Sequence, residues 1–158
     1  MEGDRTLGKG MEKNLNNVLP MPIACHVILL THNEEPFFTS ASNCNNLAYL
    51  IFETTILHKY NLFAFCIMPD HVHILCWPGN LLVSHFVDLI RFRFEYVLSK
   101  GGHKGLVWQA DFKEHHLPNE EIAKATVFIF ENPVRNGLVN NAMDYPYSFV
   151  YGGKKYRP

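Results

Sequence analysis

The chain has 158 residues, 47% hydrophobic and 13% aromatic, which is enough apolar material for one compact domain with its own core and gives no reason to divide it. A net charge of -1 and a pI near 6.7 argue against a nucleic-acid binder that relies on bulk positive charge, so any phosphate contact must come from local clusters. Such clusters are Arg91 with Arg93, then Lys100, His103 and Lys104, then Lys154, Lys155 and Arg157.

Met1 to Pro20 lacks the apolar segment of a signal peptide, is rich in Gly, Asn and Lys, and is expected to be disordered or partly vector-derived. That leaves 21–158 as a single domain. His26-Val27-Ile28-Leu29-Leu30 reads as a first strand from Ala24 to Leu30, ended by a loop from Thr31 to Pro36. Asn43 to Lys59 has helical spacing, with Leu47, Leu50, Ile51, Thr54 and Leu57 on one face. Leu62 to Ile67 and Val72 to Trp77 read as an antiparallel strand pair around Met68-Pro69-Asp70. A helix follows from about Leu81 to Ser99, turning Leu82, Phe86, Leu89, Ile90, Phe94 and Val97 to the core and closing at Gly101-Gly102. Leu106 to Phe112 reads as a fourth strand containing Trp108, and Pro118-Asn119-Glu120-Glu121 as a helix start with carboxylates at the positive end. This order predicts an α+β fold, a four-stranded antiparallel sheet with helices packed on one face.

Cys25, Cys44, Cys66 and Cys76 show no CxxC spacing, and three lie in apolar strand-like runs, so a reduced, cytoplasmic protein is expected. No apolar run reaches the roughly 20 residues that span a bilayer, and no membrane partner is expected.

Chemistry concentrates in Cys66-Ile67-Met68-Pro69-Asp70-His71-Val72-His73. On a strand, His71 and His73 leave the same face and can share one divalent metal, but two imidazoles are only part of a catalytic site. A further ligand has to come from elsewhere. Phe128 and Asn132 are four apart and share a helix face, with Pro133 preventing regular continuation. Asn132 is either a plain helix stop or a ligand, and Asp70 either a turn residue or an acceptor fixing one imidazole tautomer. Trp108, Tyr145 and Tyr147 read as packing residues or as platforms for unpaired bases.

Several separated motifs agree on one resemblance. His71-Val72-His73 after Met68-Pro69-Asp70, the pair Trp108-Gln109, Asn132-Pro133-Val134-Arg135 with Gly137-Leu138-Val139, and Asp144-Tyr145-Pro146 with Ser148 together resemble the REP-associated tyrosine transposases. These are IS200-like members of the HUH single-strand DNA transposases, and the likeness runs in order from about Pro22 to Gly152. The resemblance implies a ferredoxin-like core and a single-stranded DNA hairpin as partner. It also implies a divalent ion, Mg2+ or Mn2+, held by His71, His73 and Asn132. The reaction it implies is DNA cleavage and rejoining through a 5'-phosphotyrosine.

Candidate DNA contacts are Arg91, Arg93 and Lys104 from the basic clusters, with Trp108, Lys113 and Arg135; Asp70 and His115 are candidate supporting residues, the latter in the Glu114-His115-His116 run where relatives carry an acid-His pair. The tyrosine nucleophile should stand at position 128, where this chain has phenylalanine. Without a hydroxyl Phe128 cannot attack phosphorus, so the sequence predicts a protein defective in covalent cleavage, whether the change is engineered or natural. Three readings stay open: a transposase lacking its nucleophile, a DNA-binding descendant, and a metal-dependent nuclease using water or another tyrosine such as Tyr96, Tyr145 or Tyr147. A monomer is favoured, with a dimer exchanging the tyrosine helix as the alternative.

Overall fold

The computed structural model describes residues 23–152, so the expectations for 1–20 and for Lys154, Lys155 and Arg157 fall outside the described residues. The chain runs β1 (Ala24–Leu30), α1 (Ala41–Leu57), β2 (Asn61–Ile67), β3 (His71–Trp77), α2 (Val83–Lys100), β4 (Lys113–Leu117), α3 (Ile122–Phe130), a one-turn α4 (Asn132–Arg135) and β5 (Ser148–Val150). All five strands form one antiparallel sheet in the order β4-β1-β3-β2-β5. The predicted strand-helix-strand-strand-helix-strand succession is present through β4. The four-stranded expectation is corrected by β5, which extends the β2 edge by pairing Ser148 with Cys66 and Val150 with Ala64.

β1 and β3 are central and nearly continuous in apolar residues because both of their faces are covered. The expectation of helices on one face is therefore also corrected. α1 and α2 pack on the face formed by Cys25, Val27, Leu29, Phe65, Ile67, Val72, Ile74 and Cys76. α3 lies on the opposite face, where Ile129 meets Ala64, Cys66, Met68 and Leu75. Sequence periodicity reports that a helix has an apolar stripe, but not which face of a two-sided sheet it will cover.

Local chemistry explains the boundaries. Ser40 caps α1 by accepting a hydrogen bond from the Asn43 backbone N–H at 3.1 Å. α2 stops at Gly101, and Gly102 follows at φ 89°, a left-handed conformation suited to glycine. The buried stripe of α2 is Val83, Phe86, Val87, Ile90 and Phe94, whereas Leu82 and Val97 of the predicted stripe are exposed. Each large side chain so buried contributes roughly 1.5–3 kcal/mol of transfer free energy. In α1 the predicted Leu47, Leu50, Ile51 and Thr54 are buried, and Leu57 is exposed.

The predicted fourth strand, Leu106 to Phe112, is not one. Only Trp108 makes an isolated bridge, to Thr31, and its ring packs in the core against Phe38 and Phe94. The real β4 is the charged segment Lys113-Glu114-His115-His116-Leu117, which among the described residues pairs with β1 alone. An edge strand tolerates charge and gains from it, because charged side chains discourage pairing with other chains. That is why an apolar pattern pointed to the wrong segment.

Candidate functional site

His71 and His73 project from β3 onto the face that carries α3, as strand alternation predicts. Their ring centroids are 4.9 Å apart and nearly perpendicular. His71 donates from Nδ1 to Asp70 Oδ1 at 2.6 Å, the tautomer that in a neutral imidazole leaves Nε2 as the nitrogen able to bind a cation. Asp70 also serves the turn, since its carbonyl accepts from both the N–H and the hydroxyl of Thr31.

Asn132 is buried at the start of α4, with Nδ2 3.4 Å from His71 Nε2. Asn136 donates to both the backbone carbonyl and Oδ1 of Asn132, at 2.9 and 2.6 Å. To offer an oxygen to a cation, the Asn132 amide has to turn over, and Asn136 must then present its own oxygen in exchange. Two imidazole nitrogens and one amide oxygen are a chemically sound partial set for a divalent ion that keeps open positions for substrate. As expected, the regular helix does not run through Pro133: α3 ends at Phe130 and a separate turn begins at Asn132. Pro133 sits in the first turn of α4, where a missing N–H costs nothing, and this lets the chain turn Asn132 back to the sheet.

A third histidine belongs to the same group. His26 on β1 is buried, and its Nε2 lies 2.9 Å from His73 Nδ1. If His73 donates this hydrogen bond, its Nε2 is left as the free nitrogen, which is the arrangement a metal-binding imidazole requires. Burial holds both rings neutral. The His26 pKa is lowered to about 4, by desolvation and then by His115. That of His73 is lowered to about 3, by desolvation and then by His71, His26 and Arg135. Sequence reading passed over His26 because one histidine in an apolar strand looks like a core residue. The available signal was strand parity: residue 26 shares a face with Ala24, Ile28 and Leu30, so its face is fixed once β1 is placed beside β3.

Phe128 lies at this group's rim, half exposed, with its ring edge-on to His73 at 6.2 Å and to His26 at 6.5 Å between centroids. The Arg135 guanidinium stacks over the Phe128 ring at 4.1 Å and donates to the Phe128 backbone carbonyl. His26, His115, Lys124 and Phe128 help line an open cleft of about 540 Å³ beside β4. Lys113 shares the β4 face of His115 and is exposed.

Arg135, Lys113 and His115 are thus gathered on the imidazole face. The other candidate DNA contacts are not. Arg93 pairs with Glu53 of α1, and Arg91 donates to the Ala110 carbonyl at 3.0 Å, both from α2 on the far face. Lys104 is exposed in the segment after α2. Trp108 is 5% exposed, so neither ring face is open to stack on a base. Among the alternative tyrosines, Tyr96 is on α2, Tyr145 is buried with its hydroxyl donating to the Ile67 carbonyl at 2.7 Å, and Tyr147 packs against it.

The family model for IS200-like transposases matches residues 21–125, about two thirds of the chain, including β1, β3 and the histidine pair. The chain belongs to the IS200-like transposase family. A Haemophilus influenzae protein named as a REP-associated tyrosine transposase is 25% identical over 134 residues, covering 77% of this chain and 75% of that relative. Among solved structures, a REP-associated tyrosine transposase bound to a REP hairpin superposes with a TM-score of 0.68 at 20% identity. That match spans 80% of this chain and 76% of the other. A transposase-like protein from Deinococcus radiodurans gives 0.51 at 15% identity, over 82% and 95% of the two chains. At these identities the two structures attest a shared α+β transposase fold. Among the described residues, no helix is long and apolar enough to cross a membrane.

Proposed function

We propose that this protein binds a single-stranded DNA hairpin across the His71–His73 face, as a REP-associated HUH-type member of its family, and holds the strand without cutting it. The observation carrying this reading is the convergence of His71, His73 and Asn132 beside position 128, on one sheet face, with Arg135 over the ring. The fold bears on it too, because β1 to β4 and the two intervening helices follow the ferredoxin-like succession.

In this reading His71 Nε2, His73 Nε2 and the Asn132 amide oxygen hold one divalent ion, with two imidazoles favouring Mn2+ over Mg2+. Such an ion, when bound, polarises a non-bridging oxygen of the phosphate against it. Arg135, Lys113 and Lys124 neutralise backbone phosphates around that point, and His115 adds a donor. Phe128 supplies no oxygen, so the strand is positioned but no bond to phosphorus forms. A tyrosine there would lose its phenolic proton and bond to phosphorus as the 3' oxygen leaves, giving a 5'-phosphotyrosine and a free 3'-hydroxyl. α3 packs on the sheet of its own chain, the arrangement a monomer requires.

Fluorescence anisotropy with labelled hairpin DNA bearing a single-stranded flank tests binding. The expected result is binding that weakens with salt at a slope of about -2 in log K against log salt, for three phosphate contacts on a single strand. Arg135→Ala should make that slope shallower by about 0.7. No binding at low salt, or a salt response untouched by Arg135→Ala, would remove this face as the DNA site.

A further inference from the structure

The opposite face of the same edge carries a second set of ligating atoms. Cys25 of β1 is fully buried on the α1–α2 side, and its register partner on β4 is His116. Glu114, two residues earlier on β4, shares that face. The Cys25 thiol donates to Glu114 Oε1 at 3.4 Å, and His116 Nε2 lies 3.1 Å from the same oxygen. All three donor atoms fall within 4.8 Å of one another.

We propose that Cys25, Glu114 and His116 form a separate site for a borderline-soft divalent ion of the zinc type. A thiolate, a carboxylate and an imidazole on two rigid neighbouring strands match the donor types that zinc takes, with one position left for water. His116 is largely exposed and gives the ion a way in from the sheet edge, while Cys25 anchors the site in the core. A buried cysteine by itself needs no such explanation, since it packs as a small apolar group. What packing does not explain is a carboxylate aimed at that thiol, with an imidazole on the same carboxylate oxygen.

Burial and the Glu114 charge hold the Cys25 thiol protonated when no ion is bound. A divalent cation would displace that proton to solvent and offset the carboxylate at the same time. The consequence for the fold is a clamp on β4, which among the described residues pairs with only one strand and carries Lys113 and His115 on its other face.

Cobalt(II) titration of the full chain separates this site from the histidine pair, because only thiolate ligation adds an intense near-ultraviolet charge-transfer band. The band is expected with one equivalent of Co2+, in the parent and in the double variant His71→Ala/His73→Ala, and should be displaced by Zn2+. Cys25→Ser, which keeps the side-chain size, should abolish it. His116→Ala, at an exposed position, should weaken Co2+ binding at this site by at least ~10-fold. Absence of the band, its persistence in Cys25→Ser, or unchanged affinity in His116→Ala would each overturn the proposal.

Discussion

Replacing His73 with alanine should lower Mn2+ affinity at the β3 site by at least about 100-fold. His73 would supply one of only three protein ligands, and removal of an outer hydrogen-bond partner alone typically costs 10–100-fold. His26→Phe should fall within that smaller range. An aromatic ring still fills the site, but the acceptor 2.9 Å from His73 Nδ1 is lost, and with it the bond that fixes which nitrogen stays free. Isothermal titration with Mn2+, using protein with intact far-ultraviolet circular dichroism, orders the variants. An unchanged affinity in His73→Ala would exclude the imidazole pair as the metal centre. An unchanged affinity in His26→Phe alone would reduce His26 to a packing residue.

Acid should destabilise the chelator-treated protein well before ordinary carboxylates titrate. Two buried histidines have folded pKa values near 4 and 3 against about 6.5 in the unfolded chain. Between those limits the unfolded state binds the extra protons, so their stabilisation is complete above pH 6.5 and drains away as pH falls. The slope is roughly 1.4 kcal/mol per pH unit for each histidine well inside that window, against a total domain stability of about 5–15 kcal/mol. Urea midpoints at pH 7.5, 6.0 and 5.0 should therefore drop steadily. His26→Phe should show a shallower decline, and a flat profile in the parent would mean that the rings are not buried neutral. Bound Mn2+ should deepen the dependence on pH, since protons compete for the same nitrogens.

Much of this architecture was legible because it rests on short-range rules. β1, the β2–β3 pair and α2 follow from apolar runs, a Met-Pro-Asp turn and a Gly-Gly stop. The face shared by His71 and His73 follows from the two-residue repeat of a strand. The misreadings share one physical cause, dependence on distant partners. Leu106 to Phe112 is apolar because Val107 and Trp108 fill the core from a loop, while β4 is charged because it lies at an edge. β5 is three residues long and exists through its pairing with β2, which no local pattern announces. His26 and Lys124 enter the picture only when β1, β3 and α3 are brought together. Arg91, Arg93 and Trp108 were plausible contacts by type; the packing of α2 turns the two arginines away from the imidazole face, and Trp108 is buried in the core.

The most direct test of the account is a denaturing gel of labelled single-stranded hairpin DNA, incubated with Mn2+ and either this protein or Phe128→Tyr. The ring at 128 already stands edge-on to His73 and beneath Arg135, and in the proposed reading what position 128 lacks is the phenolic oxygen. A covalent protein–DNA band in Phe128→Tyr, absent from the parent and lost again when His71→Ala is added, is the predicted result. No band in Phe128→Tyr, while anisotropy shows the same hairpin bound, would contradict the placement of a transposase centre at His71, His73 and Asn132.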